Sequence, residues 1–290
     1  MPELPEVENT VRFLENKVLQ KTFLDVWTDF KKMIKKPKDF GEFKKGIKGK
    51  RIEKIWRRGK NIIFGLGSKY LLIHQKLTGH LLLGRWKLEN GKWQSEIEGP
   101  LKKDPMNKFL HLIFYLDSGE QLALSDLRKF AKVELLSKEE LEKELEKLGP
   151  DPLERGFTLE KFREILKKKK RGKIKKVLMD QSVISGIGNI YSDETLWKAK
   201  IHPLKEISKL TDKEIERIYF ALREILTKSI KLGGESISDY RRPDGKKGDF
   251  EKIRSVYRRE GEECRRCGAK IRRLKINNRS SYFCPVCQKL

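Results

Sequence analysis

The 290-residue chain has no apolar run near the roughly 20 residues that crossing a bilayer requires, which excludes a helical membrane protein. It opens Met-Pro-Glu-Leu-Pro-Glu, acidic and without an apolar stretch, so a secretory signal is not expected and a reducing cytoplasm is. Cysteine is scarce, and in that compartment the four present read as metal ligands rather than disulfides. Acidic side chains are also in short supply: 42 Asp+Glu stand against 67 Lys+Arg, leaving a formal charge of +25.

An excess of positive charge this large favours a polyanionic partner, because each neutralised phosphate releases condensed counterions. The plainer reading is a ribosomal or merely lysine-rich protein, since Lys and Glu rise together in proteins of hot organisms. Enrichment in both would raise total charge without leaving +25. With 37% hydrophobic residues over this length, there is material for one large domain or two ordinary ones.

Short apolar runs fill the first half: Asn61 to Leu66, Tyr70 to His74, His80 to Leu83, Phe109 to Leu116, Gln121 to Ser125 and Ala131 to Leu136. Turn signals such as Glu89-Asn90-Gly91 and Asp117-Ser118-Gly119 separate them, which predicts a β-sandwich or barrel. A helix precedes them, with Val7, Val11, Leu14 and Val18 at helical spacing. After Ser137, a capping-box signal, helical patterns run over 159–169, 173–181, 188–199 and 211–232. The predicted division is a β domain over 1–135, a linker over 136–152, a helical domain over 153–250 and a metal module over 251–290.

Cys264-x2-Cys267 and Cys284-x2-Cys287 stand sixteen residues apart, the spacing of a four-thiolate zinc site. Four protein ligands leave no open position, so one structural Zn2+ is expected and no chemistry from it. Lys270, Arg272, Arg273, Lys275 and Arg279 between the pairs suit a hairpin laid on a phosphate backbone. The blander reading is a ribbon that only folds the C-terminus or meets another protein.

At the other end, Pro2-Glu3-Leu4-Pro5-Glu6 is a good helix start on capping grounds alone. A sharper reading follows if Met1 is removed. Pro2 then carries a secondary amine, and terminal amines titrate near pH 8, so a useful fraction is neutral. Attack of that amine on a sugar C1′ gives an iminium, an electron sink, and Glu3 beside it is placed to protonate the opening ring oxygen.

The opening PELPEVE, the central Gly186-Ile-Gly-Asn-Ile-Tyr-Ser-Asp-Glu194 and the four-cysteine ribbon, in that order, resemble the formamidopyrimidine-DNA glycosylase family over essentially the whole chain. The resemblance implies an α+β fold: an N-terminal β-sandwich flanked by helices, then a helical domain with a helix-two-turn-helix and a zinc ribbon. It implies a bifunctional glycosylase and abasic-site lyase acting on damaged double-stranded DNA, associated with the nucleoid in the cytoplasm; the sequence is silent on oligomeric state, and a monomer is assumed. Such an enzyme extrudes the oxidised purine, because its glycosidic carbon is unreachable inside the stack.

By the same resemblance Pro2 is the nucleophile, Glu3 its general acid, Lys60 a phosphate-contacting catalytic lysine and Arg279 the arginine that grips phosphate and serves the second elimination. Asn189 is expected on backbone phosphate, Lys170 on DNA, and Leu77, Arg128 and Phe130 in the wedge that fills the vacated stack. The loop over 233–248 corresponds to the mobile loop that covers the extruded base. Departures are few. Leu77 stands where methionine is usual, Asp126-Leu-Arg-Lys-Phe replaces Asp-Pro-Arg-Arg-Phe, and Phe109 replaces a DNA-touching histidine.

Two alternatives remain open on the residues. An endonuclease VIII-like enzyme would share the fold and the proline but take oxidised pyrimidines; its opening is typically PEGPE rather than PELPE. A zinc-ribbon DNA-binding protein without catalysis would not need Pro2, Glu3, Lys60 and Arg279 together.

Overall fold

The computed structural model describes residues 2–169, 171–236, 239–276 and 278–290. They form two compact units, Met1–Leu145 with Leu232–Glu251, and Glu146–Lys231 with Lys252–Leu290.

The first unit begins with α1 (Leu4–Val18), N-capped by Glu3 and carrying Pro5 in its first turn. There follow β1 (Phe23–Thr28), β2 (Ile34–Lys36) and α2 (Phe40–Ile47), the last capped by Asp39, whose side chain accepts the Glu42 N–H. Next come β3 (Lys54–Arg58), β4 (Asn61–Leu66), β5 (Lys69–His74) and β6 (His80–Gly84). A small hairpin, β7 (Trp86–Glu89) and β8 (Lys92–Ser95), precedes β9 (Leu110–Leu116), β10 (Gln121–Ser125), β11 (Lys132–Leu136) and α3 (Lys138–Leu145).

Two sheets result, one ordered β1-β9-β10-β6 and the other β2-β11-β5-β4-β3. All the ladders are antiparallel except the β2–β11 pair. Alternate residues of a strand face opposite sides. Leu81, Leu83, Phe114, Leu122 and Leu124 of one sheet accordingly share a buried core with Phe64, Leu71, Ile73 and Val133 of the other, and with Val7, Val11 and Leu14 of α1. The opposite faces are covered as well: Leu82, Ile113 and Ala123 pack with Trp86 and Leu101, and Ile63, Leu72 and Leu136 with Leu141 of α3. Burial on both faces explains why these strands read as continuous apolar runs rather than alternating ones. The expected sandwich flanked by helices is present.

The second unit holds α4 (Leu159–Lys169), α5 (Ile174–Met179), α6 (Asn189–Ala199) and α7 (Asp212–Lys231), then the hairpin β12 (Arg272–Ile276) and β13 (Arg279–Phe283). Between α5 and α6 the chain makes two turns, built by Val183 and Ile184 N–H groups on the Asp180 carbonyl and by the Gln181 side chain, which accepts from Gly186 N–H and donates to Ile187 O.

The division differs from the one the sequence predicts. The stretch over 136–152 does not run free, because α3 packs on the β2-β11-β5-β4-β3 sheet while Gly149, Asp151 and Pro152 are buried in the second unit. Gly149 N–H donates to Gln181 O, and a Cβ at Gly149 would stand 2.5 Å from the Val183 backbone. The segment 232–251, expected to close the helical domain, instead packs into the first unit.

Candidate active site and nucleic-acid interface

Pro2 and Glu3 are buried at the start of α1, Glu3 to 1% exposure. The Glu3 N–H donates to Glu6 Oε2 at 2.7 Å, and Glu6 Oε1 accepts the N–H of Glu235 at 2.8 Å. One carboxylate thus ties the residue after the proline to the 232–251 segment. Gly234 runs so close to it that a Cβ there would lie 2.8 Å from Glu6 Oε1.

Lys60 is buried in the turn joining β3 to β4, where Gly59 takes a positive φ of 58°. Arg57 fastens that turn to α1: its Nε donates to Glu8 Oε2 at 2.8 Å and its Nη1 to Gly59 O at 3.1 Å. Burial alone would raise the Glu8 carboxyl, but Arg57 and Arg12 hold it below its ordinary value. On the neighbouring strand, His74 faces Asn61 and Lys132 across the ladder. Desolvation, with the charges of Lys76, Lys60 and Lys132, pushes its pKa down to about 3, so the imidazole is neutral near pH 7. Its Nδ1 accepts the Lys76 N–H.

The expected wedge residues sit on two turns that a single carboxylate organises. Asp126, fully buried, accepts from Thr78 Oγ1 and Arg128 N–H with one oxygen and from Ala131 N–H with the other. Thr78 Oγ1 also accepts the Arg128 N–H, at 3.1 Å, which links the turn carrying Leu77 to the turn carrying Arg128 and Phe130. Phe130 is 50% exposed, and the Arg128 guanidinium lies 4.7 Å from its ring centroid. Phe109 is partly exposed, with the Lys108 ammonium 5.0 Å from its ring centroid.

In the second unit the Gly186 to Glu194 motif serves chiefly to dock the ribbon. Asn189 Nδ2 and Lys175 Nζ both donate to Ser280 O, at 3.0 and 3.2 Å. Asp193 accepts the Tyr282 N–H at 3.0 Å and pairs with Lys175 at 2.7 Å, both side chains almost wholly buried. Glu194 takes three backbone N–H groups, from Ser255, Val256 and Tyr257. Burial pushes the Asp193 carboxyl up to about 7 against the pull of Lys175 and the Tyr282 N–H. Arg279, exposed at the start of β13, shares a cavity of about 280 Å³ with Lys175, Lys176 and Ile276. Asn189 and Arg279 are therefore brought to one place, Asn189 Oδ1 being buried without a hydrogen-bond partner among the described residues. Lys170 lies outside the described residues.

The sulfurs of Cys264, Cys267, Cys284 and Cys287 all lie within 4.8 Å of one another, as tetrahedral thiolate ligation demands. The first knuckle closes with Gly268 N–H on Cys264 O at a positive φ of 74°, and the Trp197 indole N–H points at Cys264 Sγ, 3.4 Å away. This set holds one structural zinc, all four positions being filled by protein.

These features place the chain among zinc-ribbon proteins built on a helix-two-turn-helix. Family models described as the formamidopyrimidine-DNA glycosylase N-terminal domain, the formamidopyrimidine-DNA glycosylase H2TH domain and a zinc finger found in FPG and IleRS match residues 1–133, 148–241 and 261–290. The chain is 38% identical to formamidopyrimidine-DNA glycosylases of Oceanobacillus iheyensis, over 99% of this chain and 98% of that one, and of Pelotomaculum thermopropionicum, over 100% of both. It also resembles the solved structure of a complex between Lactococcus lactis Fpg and DNA containing an abasic site, with a TM-score of 0.86, 36% identity, and coverage of 99% and 100%. The chain belongs to the formamidopyrimidine-DNA glycosylase family.

Sequence reasoning named the groups that would meet DNA but missed those that hold them: Glu6, Thr78, Asp126, Lys175 and Asp193. Glu6 carried a signal, standing three residues after the N-cap. Lys175 carried none, one lysine among many.

Proposed function

We propose that the protein excises oxidised purines, 8-oxoguanine and formamidopyrimidines, from duplex DNA and then cuts the strand by β- and δ-elimination. Lactococcus lactis Fpg has been crystallised with DNA containing Fapy-dG, and a related MutM with carbocyclic 8-oxo-G DNA, which supports this substrate class. The observation carrying the reading is the proline–glutamate pair held at the capped start of α1, with Lys60 on a turn fastened to that helix.

Once Met1 is removed, the Pro2 nitrogen forms a bond to C1′ as the bond from C1′ to the base breaks and the base leaves. The proton shed by the nitrogen goes to the departing base, and Glu3 protonates O4′ as the sugar ring opens, giving an iminium cation. That cation acidifies the C2′ proton, whose loss expels the 3′ phosphate; a second elimination expels the 5′ phosphate. Lys60 and Arg279 neutralise phosphate, the planar fork of Arg279 suiting it. Arg128, Phe130 and Leu77 fill the gap left by the extruded base, while Asn189 and Lys170 hold the backbone. The zinc orders the ribbon that carries Arg279 and takes no part in the eliminations. No helix among the described residues is long and apolar enough to cross a membrane, and we read the protein as a cytoplasmic monomer on the nucleoid.

The test is borohydride trapping on a duplex with 8-oxoguanine opposite cytosine. The adduct should map to Pro2, and Pro2→Gly should lose trapping and cleavage by about a hundredfold or more while still binding DNA. An adduct formed only on an oxidised pyrimidine would transfer the chain to endonuclease VIII-like activity. DNA binding with no adduct on any lesion would leave a binding protein.

A further inference from the structure

The loop over 233–248, read above as the one that covers the extruded base, lies in the 232–251 segment, which is fastened to the rest of the first unit at several points. The Tyr240 hydroxyl donates to Glu6 O at 2.9 Å, and Leu83 N–H donates to Pro243 O at 2.8 Å. Gly245, at a positive φ of 80°, lies so near Leu101 that a Cβ would come within 2.6 Å of its Cδ2.

A further fastening is ionic. Arg241 Nε donates to Asp104 Oδ2 at 2.9 Å, with the two side chains 10% and 5% exposed and 137 positions apart in sequence. Both partners are held. Asp104 Oδ1 accepts the Met106 N–H, and the Asn107 side chain bridges Leu101 O and the Trp86 indole N–H, anchoring the turn that follows the β7–β8 hairpin. Arg241 Nη1 donates to Tyr240 O. A buried ion pair is a weak source of stability, because desolvation offsets attraction, but removing one partner leaves the other charge buried and is costly.

We propose that Asp104 and Arg241 form a latch that holds the arm of the loop around residues 240–247 in place, making both positioning residues for base excision. Anchoring one arm in advance reduces the ordering cost that a loop pays when it closes over an extruded base. Elimination at a site that has already lost its base has nothing to cover. The latch should therefore serve the glycosylase step and not the lyase step. The proposal rests on the functional reading above.

The experiment compares Asp104→Asn with the wild type on two duplexes, one with 8-oxoguanine and one with a preformed abasic site. Single-turnover excision should fall by about tenfold or more while abasic-site cleavage stays within about twofold, the split expected of lost positioning. Trypsin cutting at Arg242, Lys246 and Lys247 should quicken in the variant, since these sites report local opening. Arg241→Gln removes only the loop's side of the pair and should behave alike; it serves if Asp104→Asn does not fold. Equal loss of both activities would make the pair merely structural, and unchanged excision would remove its role; either outcome overturns the latch. A wild type that cleaves abasic sites but excises no oxidised purine would instead overturn the functional reading, before any variant is made.

Discussion

The start of α1 and the ribbon dock both hold side chains proposed above to meet DNA, and they hold them by opposite means. Around Pro2 and Glu3 stands a large apolar core, with both sheets and α1 contributing, so the polar groups at its edge need only orientation. The ribbon has a small core of Val256, Ile271, Cys264 and Cys284. Its place is set by charge and metal: the Lys175–Asp193 pair, three N–H groups on Glu194, and four thiolates. A core spreads its stabilisation over many contacts, whereas a polar dock concentrates it in a few, each costly to leave half-made.

Metal removal should break the symmetry of the two regions most severely. Structural zinc in comparable modules contributes on the order of 10 kcal/mol, so chelation or Cys264→Ser should unfold β12 and β13 and weaken DNA binding while leaving the sheets intact. Hydrogen exchange on the ribbon and the sandwich measures both at once; a ribbon that stays protected without zinc would erase the contrast.

Next in size, Asp193→Ala would take from the buried Lys175 cation its carboxylate, at a cost of about 3–5 kcal/mol to the second unit. Urea unfolding should show that loss, and Asp193→Leu with Lys175→Met should recover much of it. If the double variant is no better than the single one, the pair is not what docks β13.

The smallest effect is a difference in pH response. His80 is fully buried in the first unit, and desolvation pushes its pKa down to about 4. Between pH 6.5 and 4 the unfolded chain therefore binds a proton that the folded chain refuses. Acidification through that window should cost the first unit roughly 3 kcal/mol through His80, the share that His80→Asn removes, while His74, depressed to about 3, adds a comparable loss of its own. Asp193 has the opposite sign: its raised pKa means the folded state keeps a proton longer, so its contribution falls as pH rises towards about 7. Segment-resolved exchange at pH 7 and 4.5 should show sandwich protection falling on acidification by more than dock protection; equal slopes would refute the assignment.

How much was legible depended on distance along the chain. The helix over 159–169 has the bounds its periodicity predicts, and 188–199 and 211–232 shift by a residue, because 3.6-residue spacing is a local signal. Nothing local announces α2, eight residues with two glycines, or β1, whose apolar positions do not alternate cleanly. The cysteine spacing predicted a tetrahedral cluster, and the sulfurs meet. The groups that position the site were hidden, since Asp126 looks like any turn aspartate until Thr78, 48 positions away, is found on it.

By itself, then, the sequence determined the family, the metal and the charge, since each is written in short motifs or in composition. Only the tertiary structure decided that the two turns bearing Leu77, Arg128 and Phe130 share one carboxylate, and that β13 hangs from a buried ion pair. It also decided that the 232–251 segment belongs to the first unit. Those are pairings between residues tens to hundreds of positions apart. Their energy comes from removing particular polar groups from water together, and no local pattern records which groups those will be.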